Sequence, residues 1–541
     1  MDGKQDDHSS PTSNVAGQPF APGRAPKFRT MDDQSKTAPR NEHPSTLDPA
    51  RLEKAEHLRA RGINPYPYRF RPSHRAEALN AEGDALIESG DEVSVAGRMM
   101  ARRDMGKASF AHVKDNHERL QIYVRRDVLG DEAFEVFGLC DLGDYLGLHG
   151  TMMRTKTGEL TLRVTRLELL AKALRPLPVP KVEVRDGEQV VHDEVRDVEF
   201  RYRQRYADLA LNDEVARVFR QRSRIVQTIR EYLMEQGYLE VETPTLQTVY
   251  GGAAATPFST RHKALDIPLF LRIATELFLK RLVVGGFDRV FEIGKDFRNE
   301  GIDRSHNPEF TMVEFYEAYA DYNDMMEHFE AIYERCALAV HGTTAFSYQG
   351  QALDVKRPWR RMTMAQALKE LAQVDFEAMS DDEARQALKT HDLELEEGYN
   401  RGLAMAVLFE HLCEAQLVQP TFITDFPKET TPLCKEHRDN PALVERFEPY
   451  IAGWEVGNAY SELNDPLVQK ALFEEQISRR EGGDLEAHPY DADFLRAMEY
   501  GMPPMGGIGL GIDRMVMLLL DQPSIRDVLL FPTMRPETGL E

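Results

Sequence analysis

The stretch from Arg289 to Tyr319 gathers side chains that can hold an ionised substrate. Two alternating runs flank a loop carrying Asn299, Gly301, Asp303, Asn307 and Pro308, the pattern of a long-looped antiparallel hairpin. On the first run Phe291, Ile293 and Phe297 share one face and Glu292, Asp296 and Arg298 the other, while on the return run Phe310, Met312, Glu314 and Tyr316 fall together. A guanidinium pairs with carboxylate or phosphate and a glutamate with ammonium, so a face presenting Arg298, Glu314 and Tyr316 suits a zwitterion with an extra positive charge. The same residues also fit a solvated hairpin with cross-strand ion pairs, and the pattern alone leaves both readings open. Near the C-terminus, GGIGLGIDRMVMLLL joins a glycine-rich strand to an apolar helix, with Arg514 at the junction. Glycine lets backbone pass close under a flat nucleotide, and an arginine there can meet a triphosphate. The glycine spacing is neither a dinucleotide fingerprint nor a Walker loop, so neither a Rossmann dehydrogenase nor a P-loop enzyme is indicated.

These groups need rigid elements to place them. The run NDEVARVFRQRSRIVQTIREYLMEQGY repeats Val215, Val218, Phe219, Ile225, Val226, Ile229, Tyr232 and Leu233 at helical spacing, which predicts a helix with one broad apolar face. In the VETPTL that follows, Pro244 marks an edge, a bend or a subunit boundary. Residues 346–418 mix helical and loop patterns without a chemical signature and are expected to form a helical insertion beside the site.

Upstream the pattern differs. Between Val93 and about Leu170, five short alternating runs separated by turn residues fit a small closed barrel of the OB type. In RLQIYVR, Leu120, Ile122 and Val124 point to one side and Gln121, Tyr123 and Arg125 to the other; Phe110 on the neighbouring run is flanked by Arg102, Arg103 and Lys107. Rings for stacking, cations for phosphate and an amide for a base edge are what unstacked RNA needs. A core Phe110 with a solvated basic rim is the competing reading. LDPARLEKAEHLRARG, with its proline near the start and Gly62 as a stop, predicts a helix before the barrel, and the prolines of LRPLPVP mark a linker after it. The expected divisions are a disordered polar tail over 1–48, helix and barrel over 49–172, a linker over 173–212 and a catalytic unit over 213–541.

Bulk properties narrow the class. A chain of 541 residues is too long for one core. No apolar stretch is long enough to span a bilayer and the start lacks a signal-peptide pattern, so the expectation is a cytoplasmic protein with no membrane partner. Cys140, Cys336, Cys413 and Cys434 follow no framework or metal spacing and read as reduced thiols. A formal charge of −23 disfavours bulk adhesion to polyanions, DNA included, while leaving room for one local basic surface.

FRNEGIDRSHNPEF with TMVEFYEAYADY resembles motif 2 of the class II aminoacyl-tRNA synthetases, GIGLGIDR resembles motif 3, and the helix ending at VETPTL resembles motif 1. GGAAATPF, LRIATELFLKRLVVGG, NAYSELNDP and DMGKASFAHVKD narrow the resemblance to the lysine enzymes, over about Pro49 to Pro536. It implies an α+β fold, an OB-type barrel followed by a catalytic domain built on an antiparallel sheet flanked by helices. It further implies that Gly252 and Glu276 receive the α-amino group of lysine, Arg298 and Asn458 its carboxylate, and Glu314, Tyr316 and Glu462 its side-chain ammonium, with Tyr460 also among the lysine-binding positions. For ATP the matching positions are Arg298, Glu300, His306, Phe310, Glu455 and Arg514; for magnesium they are Glu455 and Glu462. Arg298 and Arg514 would be the catalytic pair, and Arg103, Phe110 and Gln121 would read the anticodon of a lysine tRNA. The family also implies a homodimer through motif 1. A class II enzyme for aspartate or asparagine, a lysine-activating relative that modifies a protein, and a non-catalytic tRNA-binding protein are the rivals.

Overall fold

The computed structural model describes residues 47–116, 118–179, 181–185, 188–192, 197–395, 399–481 and 488–537. The expected tail lies outside these, apart from its last two residues.

A helix, α1 (Pro49–Ala60), opens the described chain; Asp48 caps it and Pro49 sits at its first turn. It seats Leu58 in the apolar cluster of the barrel that follows. Strands β1 (Glu92–Asp104), β2 (Ala108–Asp115), β3 (Glu118–Arg125), β4 (Tyr145–Arg154) and β5 (Leu160–Ala171) close in the order β1-β2-β3-β5-β4. Alternation drives the closure: Val95, Val113, Ile122, Leu148 and Val164 all lose their solvent contact in the interior. On β3 the intervening Gln121 and Tyr123 remain half-exposed.

The span expected as a linker carries short elements of its own. Residues 181–185 and 188–192 pair as a hairpin, and 198–203 and 205–211 are short helices. The helices hold because Arg205, 1% exposed, pairs with Asp208 at 2.7 Å and donates to the Arg526 carbonyl at 2.9 Å, docking them on the C-terminal segment.

The second body is built on one large sheet. Its strands are β6 (Leu239–Glu240), β7 (Arg289–Phe297), β8 (Glu309–Ala318), β9 (Arg360–Thr363), β10 (Thr421–Pro427), β11 (Leu443–Ile451), β12 (Trp454–Glu455), β13 (Gly457–Ser461) and β14 (Met505–Gly511). The order is β9-β10-β11-β13-β14-β8-β7-β6, with β12 also paired to β11. All neighbours are antiparallel except β9 with β10 and β6 with β7 at the two edges. Helices α2 (Asp213–Glu235), α4 (Tyr322–His341) and α6 (Ile512–Leu519) cover one face, packing Ile229, Phe329 and Val516 onto Phe291, Phe315 and Leu510. A short helix, α3 (Glu276–Val284), lies against β7 and β8. The helix predicted from the apolar repeat is thus α2, and Pro244 follows the two-residue edge strand β6.

Residues 346–418, expected as a helical insertion beside the site, combine short strands with helices. They complete a hairpin (345–348 with 351–354), then supply β9, which reads as nothing in sequence because RRMT is short and sits on an edge. Trp359, 5% exposed, stacks on Phe422 and anchors that strand. Helices follow only from Met364; the last, α5 (Arg401–Leu412), buries Leu408 and Phe409 in a core of its own.

Candidate active site

The opposite face of the sheet, where α3 and α5 contribute to the walls, carries a cavity of about 770 Å³, and the strand registers explain what lines it. Met312 pairs with Gly511, Glu314 with Gly509 and Tyr316 with Gly507, and on the other side Gly509 pairs with Asn458 and Gly507 with Tyr460. Partners across an antiparallel pair share a face, so these residues form one surface. On the central strand β14, Ile508 and Leu510 enter the core, while Gly507, Gly509 and Gly511 leave an open floor. Glycine is required at 507: a Cβ there would lie 2.1 Å from Glu462 Oε1 and 2.3 Å from the Tyr316 ring.

The alternation of faces has one irregularity. Tyr450 pairs with Glu455 but Phe447 with Ala459, so the four residues 447–450 of β11 oppose the five residues 455–459 of the β12–β13 segment. This bulge restores parity, setting Glu455 on the same side as Asn458, Tyr460 and Glu462. It also turns Trp454 the other way, against Tyr348 in the core.

One end of the cavity is acidic. Glu276, Glu314 and Glu462 are all at most 5% exposed. Glu314 accepts from the Thr275 N–H at 3.0 Å and the Tyr316 hydroxyl at 3.1 Å, and Glu462 Oε1 has no hydrogen-bond partner. Burial, reinforced by Asp296 and Glu276, pushes the Glu314 carboxyl up to about 8. Burial likewise lifts Glu462 to about 8 against the pull of Lys280. Gly252, at φ +92°, passes so close that a Cβ would come within 3.0 Å of the Glu276 side chain.

The other end is basic. Arg298 follows β7, its guanidinium carbon 5.1 Å from the Phe310 ring centroid and its Nε buried without a partner. Arg514, at the start of α6, donates to the Glu455 carbonyl at 2.5 Å and lies 3.3 Å from His306 Nε2. His306 is in turn fixed by Asp303, whose carboxylate accepts from the His306 backbone at 2.7 Å and contacts its ring Nδ1 at 2.8 Å. Glu300, exposed in the same loop, lines the rim. All residues expected to bind amino acid or nucleotide, from Gly252 to Arg514, line this one cavity.

Glu455 and Glu462, the pair expected to hold a metal, both line this cavity. Lys280 forms an ion pair with Glu462 at the acidic end, whereas Glu455 lies 3.7 Å from Arg514 at the basic end. The carboxylate whose charge acts most strongly on Glu455 is Glu448, two residues from its register partner Tyr450.

Four further residues shape the site and were not singled out from sequence. Arg446 pairs with Glu448 and donates to Asn458 Oδ1 at 3.1 Å. Asp513 accepts from the Thr311 N–H at 2.7 Å and pairs with Arg222 at 2.6 Å, tying α6, and so Arg514, to β8. Arg446 and Glu448 stand two apart on one side of a strand whose other charged residue is Glu445, a signal that was readable. Lys280 stands one helical turn after Glu276, which reads equally as a surface pair.

On the barrel, Arg103 pairs with Phe110 and Phe110 with Tyr123, while His112 pairs with Gln121. Phe110 is half-buried on the outer face and stacks on Tyr123 at 4.6 Å between centroids, so it is not interior core. Gln121 accepts from the Thr161 hydroxyl at 2.7 Å. Arg102 leaves this face, donating to the Phe137 carbonyl at 2.8 Å.

Comparison with known proteins agrees with both bodies. Residues 197–535 match the tRNA synthetases class II (D, K and N), and residues 93–170 match the OB-fold nucleic acid binding domain. The chain is 51% identical to a lysine–tRNA ligase of Methanoculleus marisnigri, over 90% of this chain and 95% of that protein. It is 48% identical to the lysine–tRNA ligase of Clostridium novyi, over 90% of this chain and 94% of that one. A third, from Christiangramia forsetii, is 48% identical over 91% of this chain and 87% of its own length. With the class II model covering most of the chain and such relatives spanning nearly all of it, the chain belongs to the lysine–tRNA ligase family of class II tRNA synthetases.

Proposed function

We propose that this chain activates L-lysine with ATP and transfers the lysyl group to the 3′-terminal ribose of tRNA(Lys), and that the residues lining the cavity do so in the roles the resemblance implies. The observation that carries this reading is the polarity of one cavity, with Glu314 and Glu462 at one end and Arg298 and Arg514 at the other. Lysine laid between them directs its side-chain ammonium at Glu314, Tyr316 and Glu462, its α-amino group at Gly252 and Glu276, and its carboxylate at Arg298 and Asn458, with Tyr460 in the same lining. ATP lies toward Phe310, whose ring stacks on adenine, with Glu300 and His306 at the rim.

The carboxylate is already ionised at neutral pH and needs no general base. Its oxygen bonds to the α-phosphorus, the bond from that phosphorus to the bridging oxygen breaks, and pyrophosphate leaves. Arg298 and Arg514 align the reactants and offset the negative charge that builds on the phosphate oxygens. Glu455 and Glu462 are the carboxylates that would hold magnesium, which would supply charge neutralisation at the phosphates when bound. An attack by the ribose hydroxyl on the lysyl carbonyl then releases AMP. A homodimer fits the apolar side chains left exposed around the β6 edge, Met234, Leu239, Leu246 and Phe287. No described helix is long and apolar enough to cross a membrane.

Pyrophosphate exchange measured with each of the twenty amino acids tests the substrate: lysine alone is expected to stimulate it. A response to aspartate or asparagine would overturn the assignment. For the barrel, Phe110→Ala is expected to weaken tRNA charging by about 1–3 kcal/mol through the loss of one stacked base, with lysyl-adenylate formation unchanged. Equal loss in both assays would count against an anticodon role.

A further inference from the structure

We propose that Lys280 is a positioning residue that fixes the charge of the acidic end, so that the cavity accepts an amino acid bearing two ammonium groups. This deepens the lysine-activating reading and rests on it. Lys280 is 1% exposed and does not line the cavity. It projects from α3 one turn after Glu276, with Nζ 2.5 Å from Glu276 Oε1, and its ammonium also forms an ion pair with Glu462 Oε2. Of the three buried carboxylates at this end, Glu276 and Glu462 thus share one resident cation, and Glu314 has neutral donors alone. With the three carboxylates ionised as the ligand binds, two negative charges are left over, and lysine brings two ammonium groups to meet them.

The match matters because an uncompensated charge is costly in a buried site, whichever its sign. Without Lys280, lysine would leave one carboxylate unpaired. The distribution of donors agrees with the count. Glu314 receives only neutral donors, the Thr275 N–H and the Tyr316 hydroxyl, and Glu462 Oε1 receives none, so both keep acceptor capacity for a ligand. Lys280 meanwhile holds Glu276 and the other Glu462 oxygen in place from behind the wall.

The test is a double-mutant cycle read in pyrophosphate exchange. Lys280→Met is expected to raise the KM for lysine about tenfold, as for a lost hydrogen bond to a charge, with the KM for ATP unchanged. Lys280→Arg, which keeps the cation, is expected to recover most of the loss. The decisive variant is Lys280→Met/Glu462→Gln, which returns the acidic end to two negative charges. Its KM for lysine should be no higher than that of Lys280→Met alone. If the two single effects multiply instead, Lys280 only fills space and the proposal fails. Should the methionine variant not fold, the same cycle built on Lys280→Gln separates the two outcomes equally well. Absence of lysine-stimulated exchange in the unmutated protein would defeat the lysine-activating reading itself, a result distinct from either outcome of the cycle.

Discussion

Replacing Arg298 by alanine is expected to slow lysine-dependent pyrophosphate exchange about 100- to 1000-fold, roughly 2.7–4 kcal/mol of transition-state stabilisation. The expectation follows from where the guanidinium stands. It lies over the Phe310 ring, and its Nε, buried without a protein partner, is available to a ligand. A group placed between a carboxylate nucleophile and the phosphate it attacks strengthens its hold as charge accumulates, so the loss should fall mainly on kcat. Steady-state exchange kinetics separate the cases. A rise in the KM for lysine at unchanged kcat would mean that Arg298 only binds the ground state.

Glu314→Gln is expected to cost about 1.5–3 kcal/mol of lysine binding, the worth of a hydrogen bond to a charged group, leaving ATP binding unaltered. Calorimetric titration with lysine measures it, and unchanged affinity would remove Glu314 from the pocket. The same carboxyl predicts a pH dependence. Burial holds Glu314 up to about 8 and Glu462 up to about 8, both above the ordinary 4.5. An ammonium ligand needs the ionised form, so lysine affinity should strengthen as pH rises from 6 towards 8. For the free protein the sign is opposite. Groups raised on folding favour the protonated native state below 4.5 and lose that contribution as pH climbs towards 8. The thermal midpoint of the unliganded protein should therefore fall across that window, and saturating lysine should flatten the slope. Because Glu314→Gln removes one titrating carboxyl, it should flatten the slope in part.

Much of the site was legible because a strand alternates sides at every residue. Arg298, Glu314 and Tyr316 could be placed on one face of a hairpin from parity alone, and the glycines of GIGLG on one face of a strand. The barrel was legible for the same reason, through Leu120, Ile122 and Val124. Parity also set its limit. Counting along the chain puts Glu455 and Glu462 on opposite sides, and only the bulge beside β11 brings both to the cavity. The helices at 198–211 and the edge strand β9 escaped notice since each is short and draws its stability from distant partners such as the Arg526 carbonyl or Phe422.

Periodicity, charge pattern and motif order thus determined by themselves that a barrel precedes an antiparallel catalytic sheet, and which side chains face its open surface. Pairing between segments far apart in sequence was decided only by the tertiary structure. It set Lys280 against Glu462, Asp513 against Thr311 and Glu448 beside Glu455. The physical reason is that alternation is a local property of backbone geometry, carried by each strand alone. The partner of a buried charge depends instead on which strands and helices meet, and on what burial forbids to remain unpaired.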